Sequence, residues 1–407
     1  MPNQLRLAAY WFSLNVQTAA LLAIVVPQVL DRLVGAGHTE ALARLATVAA
    51  VVAMAAGPAA GALSDAVAAR GGARRPILLA GAALNLVGLA AMAGAGGLRS
   101  LTASLLVATL GQGISQAAYQ ALLPDVVPES GWGTASGYMG VATLLGTAAG
   151  LGVAGLAGPG AAYAFMVAVL VPGVLAAATV EPARAVPRRA AGGPAGEGAL
   201  RGRRDYGLAF AARLLLLLGV GLLNTFVLYF LQDDLHLSNP GAGAAGIAGL
   251  ALAGAAVASL GAGRLSDRAG RSGLVALSGV PMALTAVVFA ALPRPDLIFA
   301  CAGVFGVGYG AYVSVDWALA LDVLPRGGHV ARDLGVWGIA GGLPYVAAPA
   351  VGGWVLSRFA APAAGYQALF LVAGACFAAG SAVVLAVRRR PGSADLGPRV
   401  PGPSMPV

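Results

Sequence analysis

One carboxylate in this chain, Asp316, lies clearly inside a long apolar run, and one guanidinium, Arg213, does the same. Asp316 belongs to the run near 297–320 and Arg213 to the run near 206–230. A charge in such a setting is expensive, so by default it faces a partner or a water-filled cavity and marks a functional position. Desolvation raises a carboxyl group's affinity for a proton, while a guanidinium beside it lowers that affinity. A carboxylate that meets arginine in one conformation and leaves it in another would therefore bind and release a proton during a cycle. Each residue stands about two helical turns or less, roughly 10 Å, from the same end of its run, so an Arg213–Asp316 pair is geometrically reasonable. The alternative is a permanent ion pair that only neutralises two buried charges. Tyr309 and Tyr312 share a helical face with Asp316, Trp317 follows it, and Asn224 lies three turns along the face of Arg213.

Neutral hydrogen-bonding groups form a second set. Gln112, Gln116, Tyr119 and Gln120 recur at i, i+4, i+7 and i+8, one continuous stripe on a helix near 100–123. Tyr10, Ser13 and Gln17 do the same near 8–30. Such stripes either hydrogen-bond a polar solute or hold helices together. His38, His236 and His329 fall in loops, and Cys301 and Cys376 fall within apolar runs as packing residues. No cluster has metal or nucleophile spacing, so no metal, cofactor or enzymatic activity is expected.

The elements that must carry these residues follow from composition. Hydrophobic residues make up 58% of the 407 and charged ones only 10%, more apolar surface than a soluble core could bury. Hydrocarbon about 30 Å thick needs roughly 20 apolar residues per helix. Twelve runs meet that need, near 8–30, 41–63, 77–96, 100–123, 133–156, 161–180, 206–230, 243–263, 274–292, 297–320, 334–356 and 365–387. The first is too long for a signal-peptide core and stays as a span. The net charge of +9 is carried by arginine alone. With the N-terminus in the cytoplasm, nineteen arginines fall inside and five outside, so both termini are expected to be cytoplasmic.

A polar knot, Gly61-Ala-Leu-Ser-Asp65, closes through Gly72 to Arg74-Arg75-Pro76, and it returns as Gly263-Arg-Leu-Ser-Asp267-Arg268-Ala-Gly270-Arg271. The chain therefore reads as two copies of one design. The second copy resembles the loop between the second and third helices of each half in the major facilitator superfamily. The longer first copy resembles the sucrose symporter-like and glycoside symporter-like branch, as do Leu122-Leu-Pro124-Asp125 and Ala135-Ser-Gly137. Gln120 stands where that branch commonly has arginine, and Gly137, Gly146, Gly150 and Gly155 partly match the antiporter signature of drug exporters.

The resemblance implies an all-α membrane protein with twelve transmembrane helices in two pseudo-symmetric six-helix bundles, the major facilitator fold. Residues 1–180 and 205–390 are expected to form the bundles, with a cytoplasmic linker at 181–204 and a disordered cytoplasmic tail at 391–407. It implies cytoplasmic gates built from Asp65, Arg74, Arg75 and Asp125 in one half and Asp267, Arg268, Arg271 and Asp322 in the other. Asp65 would face the N-terminus of the eleventh helix near Leu334, and Asp267 that of the fifth near Gly133. Aligning the halves at Asp125 and Asp322 sets Asp316 opposite Tyr119. The expected function is secondary active transport of a small molecule across the cytoplasmic (inner) membrane, coupled to protons. A sugar or other polar solute is favoured, with drug or metabolite export, or a non-transporting sensor, as the other readings. Membrane lipids are expected partners, nucleic acid is not, and the protein is expected to be a monomer.

Overall fold

The computed structural model describes residues 3–34, 38–128, 131–180, 197–325 and 329–387. Its secondary structure is helical throughout the described residues. We label the helices α1 (Asn3–Val34, with a π-helical turn at Leu21–Val25), α2 (His38–Ala69), α3 (Arg75–Ala93) and α4 (Leu98–Val126). The stretch Trp132–Ala178 holds α5 (132–157) and α6 (159–178). They join at Gly158, whose φ of 78° a side chain rarely tolerates. The second half holds α7 (Glu197–Asp233), α8 (Pro240–Ala269), α9 (Arg271–Ala291), α10 (Pro295–Val323), α11 (Val330–Leu356) and α12 (Pro362–Leu385).

Among the described residues, ten helical stretches are long and apolar enough to cross a membrane. One of these contains both α5 and α6, and α4, made less hydropathic by its glutamines, is the twelfth helix. α7 begins at Glu197, so the helix claims part of the expected linker; residues 181–196 and the tail from 388 lie outside the described residues. Large apolar side chains such as Leu156, Val257 and Leu385 are exposed on the outer surface, where a soluble protein would place polar ones.

Small residues set the packing, as expected where lipid removes the hydrophobic drive between helices. Gly88 of α3 lies on Ala108 of α4, and Gly150 of α5 lies on Val16 of α1. The other half repeats this with Gly306 and Gly310 of α10 on Ala251 and Ala255 of α8. The two halves meet through α2 and α11, where Gly57 lies on Gly335 and Gly61 on Ala331. They also meet through α5 and α8, where Gly137 lies on Gly263. Every one of these junctions is near the end that carries the two polar knots.

On the α2–α11 side the halves part away from that end. Ala331 and Gly335 pack on α2, yet Gly338, Gly342 and Tyr345, further along the same face of α11, are exposed, Tyr345 to 41%. A cleft between the bundles therefore opens beyond Gly335.

Candidate substrate and coupling site

Beside this cleft Arg213 of α7 and Asp316 of α10 form a partly buried ion pair. Tyr312, one turn before Asp316, donates its hydroxyl to Asp316 Oδ1 at 3.0 Å. The Arg213 Cζ lies 5.1 Å from the ring centroid of Trp337 on α11, a cation–π distance. Gly341 makes room for this arrangement, since a Cβ there would stand 2.7 Å from Arg213 Nη2. Three helices of one half thus hold a single pair. Arg213 Nε, Trp337 Nε1 and Trp317 Nε1 are all buried with no hydrogen-bond partner among the described residues. Tyr309 stacks on Phe305 one turn earlier on α10, ring centroids 6.2 Å apart. Asn224 is exposed and makes no hydrogen bond among the described residues.

The pair is linked to the knot end through Tyr206 on α7. Its ring lies 5.9 Å from Trp337 and its hydroxyl donates to the Asp333 carbonyl, in the first turn of α11, at 2.6 Å. Tyr206 and Trp337 were not singled out from sequence as site residues. Aromatic residues near span ends read as interfacial anchors, and only tertiary contacts show otherwise.

In the other half the amides mostly bond one another. Gln17 of α1 and Asn85 of α3 exchange two hydrogen bonds of 2.9 Å each, and Gln17 also donates to Gln112 Oε1 at 3.1 Å. Gln112 in turn donates to Thr18 Oγ1 at 2.9 Å. Asn85, fully buried, was missed because one amide in an apolar helix makes no stripe; its isolation in α3 was the available signal. Tyr119 is also fully buried. It packs edge-on to Tyr10, stacks on Trp11 and donates to the Leu7 carbonyl at 2.8 Å. Gln116 and Gln120 are half-buried and make no hydrogen bond among the described residues, which leaves them as the available amides of the stripe.

At the knot end, Asp65 accepts from the backbone N–H groups of Ala331 and Arg332 at 3.1 and 3.0 Å. These belong to the first turn of α11, where unsatisfied donors and the helix dipole favour an anion. Arg74 is buried behind it, reaching Asp65 at 3.0 Å, Ser64 Oγ at 2.7 Å and Asp125 at 3.2 Å. Arg75 points elsewhere and donates to the Val180 carbonyl, at the end of α6. In the second copy Arg271 pairs with Asp322, donates to the Ala318 carbonyl and lies over the Trp132 ring. The side chains of Asp267 and Arg268 lie outside the described residues. The end of α8 that carries them packs on α5, with Gly263 against Gly133 and Gly137.

Two six-helix bundles joined at one end, with a charge pair beside the cleft between them, define a membrane transporter of the two-bundle type. The chain belongs to the Major Facilitator Superfamily, whose family model matches residues 9–216 and again 208–404. No match was found among curated protein sequences. The human organic anion transporter MFSD10 (TETRAN) superposes with a TM-score of 0.75 at 16% identity, over 94% of this chain and 98% of that one. A bacterial homologue of the iron transporter ferroportin in its outward-facing state gives 0.73 at 15% identity, over 95% and 99%. At such identities the likeness shows the fold alone.

Proposed function

We propose that this protein is a proton-coupled secondary transporter that works by alternating access. The Arg213–Asp316 pair carries this reading. It lies away from the helix ends and borders the cleft a solute would enter. When the pair separates, Asp316 loses its cation and gains affinity for a proton; when it re-forms, the proton leaves.

The arginine-rich knot end faces the cytoplasm in this reading, with both termini on that side of the inner membrane. The closed junction there, with Asp65 capping α11, is then the cytoplasmic gate, and the cleft opens outward. An anion at a helix N-terminus contributes about 0.3–1 kcal/mol, and about 2 when partly buried. That is enough to shift a two-state equilibrium several-fold. Each half supplies an Arg–Asp bracket for the gate, and pairing with the single chain is sufficient, so the working unit is a monomer in lipid.

For the solute, the loop resemblance to sugar symporters supports a polar compound. The second reading is export of a metabolite or drug. It is favoured by the engagement of Gln17, Asn85 and Gln112 with one another, which leaves few amides for sugar hydroxyls. Iron, the cargo of ferroportin, gains no support, since among the described residues no three His, Cys, Asp or Glu side chains come together to hold a metal ion.

The test begins with a thermal-shift screen of purified protein against sugars, nucleosides, amphiphilic amines and organic acids. The stabilising compound is then used in proteoliposomes. Asp316→Asn is expected to insert normally, keep counterflow exchange and lose accumulation driven by a pH gradient. Full accumulation by this variant would sink the proton role, and loss of folded protein would favour the permanent ion pair.

A further inference from the structure

Around Arg213 the hydrogen-bond donors outnumber the acceptors. The guanidinium offers five N–H groups and Trp337 one more, and the nearby carboxylate that receives them, Asp316, also accepts from Tyr312. Arg213 Nε and Trp337 Nε1 are left buried with no partner among the described residues. Buried donors in folded proteins nearly always find an acceptor. Two on adjoining side chains indicate that one arrives from outside.

Its route is visible on α11. Trp337, Gly341 and Tyr345 are spaced at i, i+4 and i+8, leading from the guanidinium to the exposed face formed by Gly338 and Gly342. Apart from the backbone of α11 itself, no described atom stands within 4 Å of where a Cβ would sit at Gly338 or Gly342, so the cleft has room there. The walls beside that path are aromatic: Trp337, Tyr206, Tyr309 and Tyr345.

We propose that the cargo is an organic oxyanion carrying one negative charge, a carboxylate, a sulfonate or a singly protonated phosphate monoester on an aromatic or apolar body, held by Arg213 and Trp337 in place of Asp316. This rests on the transporter reading above and names the substrate class of the same site. Charge balances if Asp316 takes a proton when the anion displaces it. The empty site holds Arg⁺ with Asp⁻, and the loaded one holds Arg⁺ with a monoanion and a neutral carboxyl group. One proton and one monoanion then move together. The other titratable groups within electrostatic reach of Arg213 are the phenols of Tyr206 on α7, Tyr309 and Tyr312 on α10 and Tyr345 on α11. Two further charges that act on Tyr206, Arg332 and Asp333, pair with each other.

The experiment measures binding to the full-length purified protein by calorimetry. The probes are benzenesulfonate, benzoate and phenyl phosphate, with neutral benzamide and cationic benzylamine as controls. Benzenesulfonate stays ionised throughout, so its pH dependence reports the protein. Wild type is expected to bind it more tightly toward acid pH and to ignore both controls. Asp316→Asn, with Arg213 released, is expected to bind about tenfold more tightly at neutral pH, without pH dependence. Trp337→Phe keeps the ring and loses the N–H, and is expected to bind more weakly. Equal binding of benzamide, or no anion binding by either wild type or Asp316→Asn, overturns the proposal. Anion binding that is independent of pH in wild type upholds it and overturns proton coupling instead.

Discussion

The two halves share a bracket and differ in what they build beside it. In each, an arginine after the knot pairs with an aspartate at the end of the fourth helix of that half, 51 residues on: Arg74 with Asp125, and Arg271 with Asp322. Six residues before these aspartates the halves diverge. The N-terminal half has Tyr119, whose hydroxyl is held by a backbone carbonyl, and the C-terminal half has Asp316, paired with a guanidinium. The repeated part is the device that closes the bundle, and the unrepeated part holds the charge. A duplicated scaffold therefore needs only one half to carry the ion chemistry, while the other can lock its polar groups together.

The largest difference is expected from the bracket arginines themselves. Arg74→Ala leaves Asp65, whose side chain is 3% exposed, without its cation. Breaking a buried pair in this way costs about 3–5 kcal/mol, so little folded protein is expected by size-exclusion chromatography. Asp322 is 31% exposed and water can serve it. Arg271→Ala is expected to cost about 1–2 kcal/mol, much of it from the contact with Trp132. Equal losses in a thermal unfolding comparison would show that the brackets are equivalent.

Next come the junctions between halves. A Cβ at Gly61 would lie 2.3 Å from the Ala331 carbonyl oxygen, and one at Gly263 would lie 2.7 Å from that of Gly133. Both contacts are with backbone, which cannot swing away. Gly61→Ala is expected to destabilise the closed knot end by about 1–3 kcal/mol. A cysteine placed at Val330 should then alkylate several-fold faster. Gly263→Ala should do the same to a smaller degree, and unchanged labelling in both would remove the junctions from the gate.

Within the N-terminal half, Asn85→Leu is expected to cost about 1–3 kcal/mol, because Gln17 Oε1 would remain buried without its donor while Gln17 Nε2 keeps only Gln112. Gln116→Leu breaks no hydrogen bond and should shift stability by about 0.5 kcal/mol or less. If Gln116 touches the solute, that variant alters transport with thermal stability unchanged. The reverse result would exchange the structural and binding roles of the two amides.

These contrasts also mark how far the sequence reaches. Hydropathy located twelve spans because lipid imposes length and composition, and the returning Gly-x-Leu-Ser-Asp pattern revealed the duplication. The charge pair was legible because two lone charges at similar depth have few alternatives. Sequence periodicity placed Gln17, Gln112 and Tyr119 on inward faces, but it could not tell a cleft from a helix contact, and the structure puts all three in contacts. Asn85, Trp337 and Tyr206 carry no periodic signal at all; their roles depend on which helix lies opposite.

The smallest expected effect is the most discriminating. Tyr119 and Tyr206 each donate a hydroxyl to a backbone carbonyl on another helix, Leu7 on α1 at 2.8 Å and Asp333 on α11 at 2.6 Å. Loss of either hydroxyl should cost about 0.5–1.5 kcal/mol, so Tyr119→Phe and Tyr206→Phe should unfold at similar temperatures. Their consequences should still differ. Tyr119 ties α1 to α4 inside one bundle, away from the charge pair. Tyr206 ties α7 to the same first turn of α11 that Asp65 caps, and its ring rests on Trp337, which rests on Arg213. If the knot end gates the cleft as proposed, a change at the pair that moves Trp337 would be felt there through Tyr206. Wild-type alkylation at Val330→Cys is expected to vary with pH as Asp316 titrates. Tyr206→Phe should flatten that dependence, and Tyr119→Phe should leave it intact. Parallel pH profiles for the two variants would show that the gate and the charge pair act independently.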